Sequence, residues 1–201
     1  MIAILDYGAG NLRSVQNTLG AIGCDYTLVR DAAGLRQASK IILPGVGHFG
    51  QMMRALDELE VRDTLRERIQ AGVPFLGICL GMQALFEQSE EAPEVHGLGL
   101  YEGPVRRFPA DARVPHMGWN ELEVKPGSIL LRDLGARPFV YFAHSYYVPD
   151  NFRAAANCTY EVKYTAAIES GNVYGVQFHP EKSGELGQRI VRNFLAAGAH
   201  D

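Results

Sequence analysis

The chain has few cysteines, and they show no arrangement that indicates a disulfide framework or a zinc site. Cys24, Cys79 and Cys158 are widely spaced among 201 residues, and no C-x-x-C pair occurs. An odd, scattered set fits neither paired disulfides nor tetrahedral metal ligation. We therefore predict no metal site and a reducing compartment, the cytoplasm, in which a free thiol survives. Cys24 and Cys158 lie in apolar contexts typical of packing residues.

The sequence also lacks a long apolar run and a strong excess of charge of either sign. No hydrophobic stretch reaches the length of about 20 residues that spans a bilayer, and no signal peptide precedes the first predicted strand. The net charge of −4 favours neither nucleic acid nor an anionic membrane as a partner. The ordinary hydrophobic content of 47% predicts one globular domain over residues 1–201.

The first half of the chain alternates short apolar runs with amphipathic segments. We predict strands at residues 2–6, 26–30, 40–43 and 73–77, and helices at 11–21, 51–59 and 61–71. In the second half we predict strands at 105–108, 121–124, 139–143, 154–158, 165–169 and 173–178, and a last helix at 185–197. Alternating units build a parallel sheet with helices on both faces. The predicted fold is a single, doubly wound α/β domain of flavodoxin-like type with a mostly parallel central sheet.

Cys79 lies in the most informative segment, FLGICLGMQ at residues 75–83. An apolar run leads into the cysteine, Gly77 and Gly81 flank it at the −2 and +2 positions, and a helical pattern follows at residues 82–87. Strand, sharp turn and helix is the arrangement that exposes a nucleophile at the end of a buried strand. The positive end of the helix dipole favours thiolate over thiol. A buried packing role is the alternative for this cysteine.

A candidate base and an acid to orient it follow another predicted strand. His179, Pro180 and Glu181 come directly after the apolar run at 173–178, and proline cannot continue a ladder. In an extended backbone, residues two apart share a face, so Glu181 can hold one imidazole nitrogen while the other faces a thiol. A nucleophile, a base and an orienting acid form a catalytic triad. This second motif favours catalysis over packing for Cys79.

These segments resemble the class I glutamine amidotransferases, the family with a Cys-His-Glu triad, and the resemblance runs essentially from end to end. The motifs that carry it are GICLGMQ at 77–83 and QFHPE at 177–181. The resemblance implies hydrolysis of glutamine to glutamate without a cofactor. It assigns catalysis to Cys79, His179 and Glu181, and it implies that the ammonia passes to a synthase.

Further segments resemble the branch of this family that serves imidazole glycerol phosphate synthase in histidine biosynthesis. They are DYGAGN at 6–11, PGVGHF at 44–49, PHMGWN at 115–120, YFAHSYY at 141–147 and EKSG at 181–184. The resemblance implies a heterodimer with a cyclase subunit, a (β/α)8 barrel that receives ammonia through a channel and forms imidazole glycerol phosphate and an aminoimidazole carboxamide ribotide. It implies partner contacts at Trp119, Tyr141 and Lys182.

Glycines after the third predicted strand are candidates for an oxyanion hole. Gly45 and Gly47 allow backbone N–H groups to face inward, and the amide of Leu80 is the natural second donor. On spacing alone, these glycines are better interpreted as an ordinary turn. The family resemblance implies the oxyanion hole instead. Gly8 and Gly10 could belong to a dinucleotide-binding motif, but its third glycine is missing, so nucleotide binding is not favoured.

The resemblance also assigns residues to the substrate. Gln83, one helical turn after the cysteine, would hydrogen-bond the bound glutamine; as an alternative it is a solvated helix residue. Ser145 and Tyr146 would hold the amino-acid end of the substrate, partly through their backbone. A lone tryptophan in a loop, as predicted for Trp119, is usually half-buried core, but the tyrosines at 141, 146 and 147 form an aromatic group of the kind that protein interfaces prefer. His48, His116 and His144 have no metal-ligand spacing, so we predict packing or interface roles for them.

Three competing functions stay open on the sequence alone. The first is a glutaminase subunit of another synthase, such as that of pyridoxal phosphate synthesis, and the segments at 115–120 and 141–147 argue against it. The second is a stand-alone γ-glutamyl hydrolase, which would need an open groove and full activity without a partner. The third is a flavodoxin-like binding module in which Cys79 is inert.

Overall fold

A computed structural model describes residues 1–151 and 153–198, so the last three residues of the predicted domain lie outside the described part. The helices are α1 (Leu12–Ala21), α2 (Ala32–Gln37), α3 (Phe49–Glu58), α4 (Arg62–Gln70), α5 (Leu80–Gln83) and α6 (Gly184–Ala196). The strands are β1 (Ile2–Leu5), β2 (Thr27–Val29), β3 (Lys40–Gly45), β4 (Phe75–Cys79), β5 (Phe86–Ser89), β6 (Tyr101–Arg107), β7 (His116–Glu121), β8 (Glu123–Val124), β9 (Phe139–His144), β10 (Tyr146–Pro149), β11 (Ala154–Thr159), β12 (Lys163–Ser170) and β13 (Val173–Val176).

Five parallel strands form the centre of the sheet, in the order β2-β1-β3-β4-β13. Beyond β13 the sheet continues through β12, β10 and β6, each antiparallel to the strand before it, and ends at β5. Strand β11 pairs with β12 and β8 pairs with β11, while β7 and β9 form a separate antiparallel pair. The predicted α/β fold with a mostly parallel centre is confirmed.

Side chains alternate across the central strands and build a core on each face. Leu5 of β1 packs in the cluster that holds apolar residues of α2, α3 and α4. Its neighbour Ile4 packs in the opposite cluster, with residues of α1 and α6. Both side chains are fully buried. Because helices cover both faces of the sheet, these strands are apolar at nearly every position. Such continuous apolar runs are the pattern from which the strands could be predicted.

The helix predicted at residues 82–87 is wrong beyond its first turn. Helix α5 ends at Gln83, and the chain then enters β5. Carbonyl groups that a longer helix would use accept hydrogen bonds from a returning segment instead: Leu98 N donates to Ala84 O over 2.7 Å and Gly97 N to Glu87 O over 2.9 Å. The cysteine therefore precedes a single helical turn, and the dipole of an extended helix is not available to it.

The segment predicted as a loop around Trp119 is strand β7. Trp119 lies opposite Tyr141 of β9, and its side chain is 56% exposed, so it is not part of the core. Met117 and Phe139 lie on the same side of the pair and are 64% and 42% exposed, because residues two apart in a strand share a face. The pair β7–β9 thus presents an apolar surface, while His116 is buried on its other side.

Besides β5 and β7, the sequence patterns miss the short elements α2 and β10. Helix α2 is capped by Asp31, whose Oδ1 accepts from Gly34 N over 2.8 Å. The first predicted helix, at residues 11–21, begins at Leu12 instead, and the side chain of Asn11 before it makes no capping hydrogen bond. In the described part of the chain, no helix is long and apolar enough to cross a membrane, and no cluster of three His, Cys, Asp or Glu side chains could hold a metal ion.

Candidate active site

Cys79 ends β4 in a backbone conformation that residues other than glycine rarely adopt. Its φ is 54° and its ψ −107°, and such strain persists only where the surroundings over-determine it. The surrounding contacts depend on glycine. A Cβ at Gly77 would lie 2.5 Å from Gly81 O, and one at Gly81 would lie 2.0 Å from Leu43 O. The absence of side chains at these two glycines therefore lets α5 start against β3 and β4.

His179 and Glu181 contact each other through a 3-10 turn, Pro180–Lys182. His179 Nδ1 donates to Glu181 Oε1 over 2.8 Å, and the two side chains are only 2% and 3% exposed. The extended backbone predicted between them is wrong, because the fixed φ of Pro180 suits the first position of a helical turn. His179 N donates to Tyr141 O over 2.8 Å, which ties the turn to β9.

The environment of His179 favours its protonated form. Burial by itself lowers the pKa of His179, but hydrogen bonds to Cys79 and Glu181 and the negative charges of these partners outweigh it and raise the pKa above its ordinary value. Because Nδ1 is engaged by the glutamate, Nε2 is the nitrogen that faces the sulfur. The structure thus brings the three predicted catalytic residues together, with His179 hydrogen-bonded to Glu181 and interacting with Cys79.

Two of the predicted oxyanion residues, Gly45 and Leu80, lie beside Cys79. Gly45 is opposite the cysteine in the register of β3 and β4, and a Cβ there would lie 2.7 Å from Leu80 Cβ. Leu80 is the first residue of α5, so its N–H has no acceptor within the helix. Gly47 has a φ of 95° and faces open space, since a Cβ there would meet nothing within 4 Å.

Gln83 is buried, so the alternative that it is a solvated helix residue is wrong. Its Nε2 donates to Tyr146 O over 3.0 Å and to Gln177 Oε1 over 2.9 Å. Both amide hydrogens are committed, which leaves its carbonyl oxygen as the atom for a ligand. Tyr146 makes this contact through its backbone. The carbonyl of the neighbouring Ser145 accepts from Phe108 N over 3.2 Å and supports the same segment.

Two residues of this region are missed by the sequence analysis. Gln177 is fully buried, and its Nε2 donates to Cys79 Sγ over 3.5 Å. Its position two residues before the histidine is the only signal that could have identified it. Glu91 accepts from Phe49 N over 2.7 Å and ties the segment after β5 to the start of α3. Nothing local indicates that contact, because 42 residues separate the two partners.

The predictions for the other histidines are confirmed in part. His116 and His144 are buried, with His116 Nδ1 3.3 Å from His144 Nε2 and 3.1 Å from the Tyr164 hydroxyl. Burial lowers the pKa of His116 to about 4 and that of His144 to about 3, so both rings are neutral packing groups at pH 7. His48 instead caps α3, accepting from Gly50 N over 3.1 Å.

The three predicted partner contacts share one surface. The rings of Trp119 and Tyr141 lie 6.2 Å apart in an edge-to-face arrangement. Lys182 Nζ lies 5.6 Å from the centre of the Tyr141 ring, at the range of a cation–π contact. Because Lys182 ends the 3-10 turn and Tyr141 binds the His179 amide, this surface adjoins the back of the active site.

The chain matches the family described as Glutamine amidotransferase class-I over residues 3–197. A relative from Methanothermobacter thermautotrophicus, named imidazole glycerol phosphate synthase subunit HisH, is 51% identical over 197 residues, with 97% of this chain and 98% of the relative covered. Relatives of the same name from Deinococcus radiodurans and Bacillus cereus are 46% and 45% identical. Their matches cover 96% of this chain in both cases, and 92% and 93% of the relatives.

Solved structures share the fold at lower sequence identity. A glutamine amidotransferase superposes with a TM-score of 0.77 at 24% identity, covering 96% of each chain. The structure of PurLQS from Thermotoga maritima superposes with a TM-score of 0.72 at 22% identity, again over 96% of each chain. The family match spans nearly the whole sequence, and the motifs meet around Cys79. This chain belongs to the class I glutamine amidotransferase family.

Proposed function

We propose that this chain is the glutaminase subunit of an imidazole glycerol phosphate synthase, which hydrolyses glutamine and delivers the ammonia to a cyclase partner. The observation that carries the proposal is the buried line from Glu181 through His179 to Cys79, in a chain that is 51% identical to a protein of that name. The whole chain acts as one domain in this proposal, and its location is the cytoplasm, where a thiol nucleophile stays reduced.

In the first half-reaction, the Cys79 sulfur attacks the side-chain amide carbon of glutamine. His179 already holds the proton of the thiol and gives it to the departing nitrogen, so that ammonia leaves and a glutamyl thioester remains. Negative charge grows on the carbonyl oxygen, which the backbone amides of Gly47 and Leu80 would hold. Glu181 orients the imidazole and stabilises its protonated form, because it accepts from Nδ1 over 2.8 Å.

In the second half-reaction, water replaces the sulfur. His179 removes a proton from the water, the oxygen attacks the thioester carbon, and the carbon–sulfur bond breaks to give glutamate. The proton stays on His179, and Cys79 is again a thiolate. Through this cycle Gln83 would accept a hydrogen bond from the substrate at its free carbonyl oxygen, while the Ser145–Tyr146 backbone would contact the amino-acid end.

The cyclase is proposed to dock on the apolar surface of β7–β9. Aromatic side chains and methionine are enriched at the centres of protein interfaces, and Trp119, Tyr141 and Met117 supply them here. Lys182 provides a cation beside them. This surface connects to the His179 turn by the hydrogen bond to Tyr141 O, so docking would act on the residues that do the chemistry.

The test is a glutaminase assay on the lone chain, on the complex with the cyclase, and on the complex with an analogue of the cyclase substrate. The expected result is a slow lone chain that the partner accelerates, with a further increase from the analogue. If docking completes the oxyanion hole, the acceleration should match the value of one oxyanion donor, whose loss costs about a hundredfold or more in rate. Equal rates in all three samples would contradict the proposal and support the stand-alone γ-glutamyl hydrolase.

A further inference from the structure

Two buried glutamines link the sulfur of Cys79 to a backbone carbonyl. Gln177 Nε2 lies 3.5 Å from the sulfur, and Gln177 Oε1 lies 2.9 Å from Gln83 Nε2. Gln83 Nε2 in turn lies 3.0 Å from Tyr146 O. The exposed fractions of the two glutamine side chains are 0% and 3%, so bulk water does not compete for these contacts.

The carbonyl of Tyr146 determines which atom donates and which accepts in each of these hydrogen bonds. Tyr146 O can only accept, so the amide of Gln83 must present its nitrogen to that carbonyl. The same nitrogen then meets Gln177, which must present its oxygen. The nitrogen of Gln177 is consequently the group that remains for Cys79. If either amide were flipped, two acceptors or two donors would face each other in a buried site, which is costly because these buried polar groups would lose their partners.

A second donor holds the same carbonyl in place. His144 Nδ1 lies 2.8 Å from Tyr146 O, so this nitrogen carries the hydrogen and donates. Burial lowers the pKa of His144 to about 3, so the ring stays neutral and the arrangement persists at physiological pH. The carbonyl that determines the direction of both amides is therefore itself anchored from two sides.

We propose that Gln177 is a positioning residue for the nucleophile: its amide N–H is held toward the Cys79 sulfur by Gln83 and the Tyr146 carbonyl. A directed N–H stabilises a thiolate more than a thiol, and it restricts the direction in which the sulfur points. This inference rests on the proposed role of Cys79 as nucleophile. It adds a residue that does not touch the substrate and acts only through the sulfur.

The titratable side chains that interact with Cys79 are Tyr7, Tyr164 and His179. Burial raises the pKa of both tyrosines, so they stay neutral over the pH range in which a cysteine titrates. His179 is the charged group at the sulfur, and substitution of Gln177 leaves its hydrogen bond to Glu181 intact. A change in thiol reactivity in a Gln177 variant can therefore be assigned to the lost N–H.

The experiment uses the complex with the cyclase and measures alkylation of Cys79 by iodoacetamide against pH, with mass spectrometry of the Cys79 peptide. Gln177→Glu keeps an acceptor for Gln83 but turns an oxygen toward the sulfur; Gln177→Met removes the donor without adding charge. The pH at which the alkylation rate reaches half its maximum should rise in both variants. In Gln177→Glu, alkylation at pH 7 should also be slower by about tenfold or more. Glutaminase kcat should fall in parallel, with KM changed less.

Asn193→Asp is the matched control, because it also places an acid at a buried amide, in α6. The proposal is overturned if the alkylation profiles of both Gln177 variants match the wild type, even when their melting temperatures fall, or if Asn193→Asp shifts the profile equally. One measurement needs no variant: the side-chain amide resonance of Gln177 should move when Cys79 is alkylated, and an unmoved resonance also overturns the proposal. A wild-type complex without glutaminase activity would instead contradict the proposed function.

Discussion

His179 Nδ1 lies 2.8 Å from Glu181 Oε1, although only a proline separates the two residues in the chain. The 3-10 turn makes this contact possible, and Ser183 holds the turn closed. The Ser183 hydroxyl donates to His179 O over 2.6 Å and accepts from Tyr141 N over 3.0 Å. The imidazole is thus oriented by its acid, while the backbone of His179 is anchored to β9, which carries the proposed partner surface.

Replacement of Cys79 by alanine should abolish glutamine hydrolysis. No other thiol can take its role, because Cys158 is buried in β11 and Cys24 lies just after α1. The complex should still turn over with added ammonium salt, since the cyclase chemistry does not involve the thiol. Steady-state assays with glutamine and with ammonium check this, and Cys158→Ala is the control that should keep both activities. Loss of the ammonia-dependent activity as well would mean that Cys79 is structural.

The two partners of the nucleophile should differ in how much they matter. His179→Ala removes the group that moves protons and should lower the glutaminase kcat by about 10⁴-fold or more. Glu181→Gln keeps the shape of the side chain and an oxygen acceptor for the His179 Nδ1–H. Its glutaminase kcat should fall less than that of His179→Ala, because the substitution removes only the charge. Rates measured in the complex decide the order. A Glu181→Gln enzyme slower than His179→Ala would show that the roles are assigned wrongly.

Stability should decrease as the pH falls below about 6.5. Burial lowers the pKa of His116 to about 4 and of His144 to about 3, so the unfolded chain binds more protons than the folded one between those values and 6.5. Acid therefore favours unfolding in that window. Urea unfolding at pH 7 and pH 5 measures the loss, which His144→Asn should reduce. The control is His96→Gln, an exposed site, and it should keep the wild-type loss. An unchanged loss in His144→Asn would contradict the prediction.

Two glycines in helices should respond oppositely to alanine. A Cβ at Gly187 of α6 would lie 1.8 Å from Pro180 O, in the turn that positions His179 and Glu181. Gly187→Ala should therefore lower both stability and glutaminase activity. A Cβ at Gly20 of α1 meets nothing within 4 Å, so Gly20→Ala should stabilise the fold by about 0.5–1 kcal/mol through helix propensity. Thermal unfolding and activity of both variants provide the comparison, and similar behaviour of the pair would contradict it.

Removal of the exposed indole should weaken binding of the cyclase. Trp119 is the largest exposed side chain of the β7–β9 surface, and tryptophan at the centre of an interface often contributes 2 kcal/mol or more, about thirtyfold in affinity. Titration of the Trp119→Ala chain with the cyclase gives the dissociation constant. Ile129→Ala, exposed on a different segment, is the matched control. If both variants bind like the wild type, the cyclase docks elsewhere.

The fold class and the catalytic residue types could be predicted because their signals are local or strongly periodic. Buried parallel strands appear in the sequence as continuous apolar runs. A glycine-flanked cysteine and a His-Pro-Glu sequence are each recognised within a few residues. The family prediction follows from the same motifs and is confirmed by the match over residues 3–197. The roles of Cys79, His179 and Glu181 are predictions that the variants above test.

Tertiary structure alone decided what these local signals could not contain. Helix α5 stops after one turn, and the backbone N–H groups of Gly97 and Leu98, where the chain turns back, bind the carbonyls of Glu87 and Ala84. Trp119 is exposed because β7 pairs with β9, whose residues come more than 20 positions later. Gln177 reaches Cys79 across 98 residues of sequence. Such contacts depend on which strands become neighbours, and backbone pairing carries no local sequence signature. The sequence therefore determined the central strands, most of the helices and the catalytic residue types, while packing determined the remaining elements and how all of them meet.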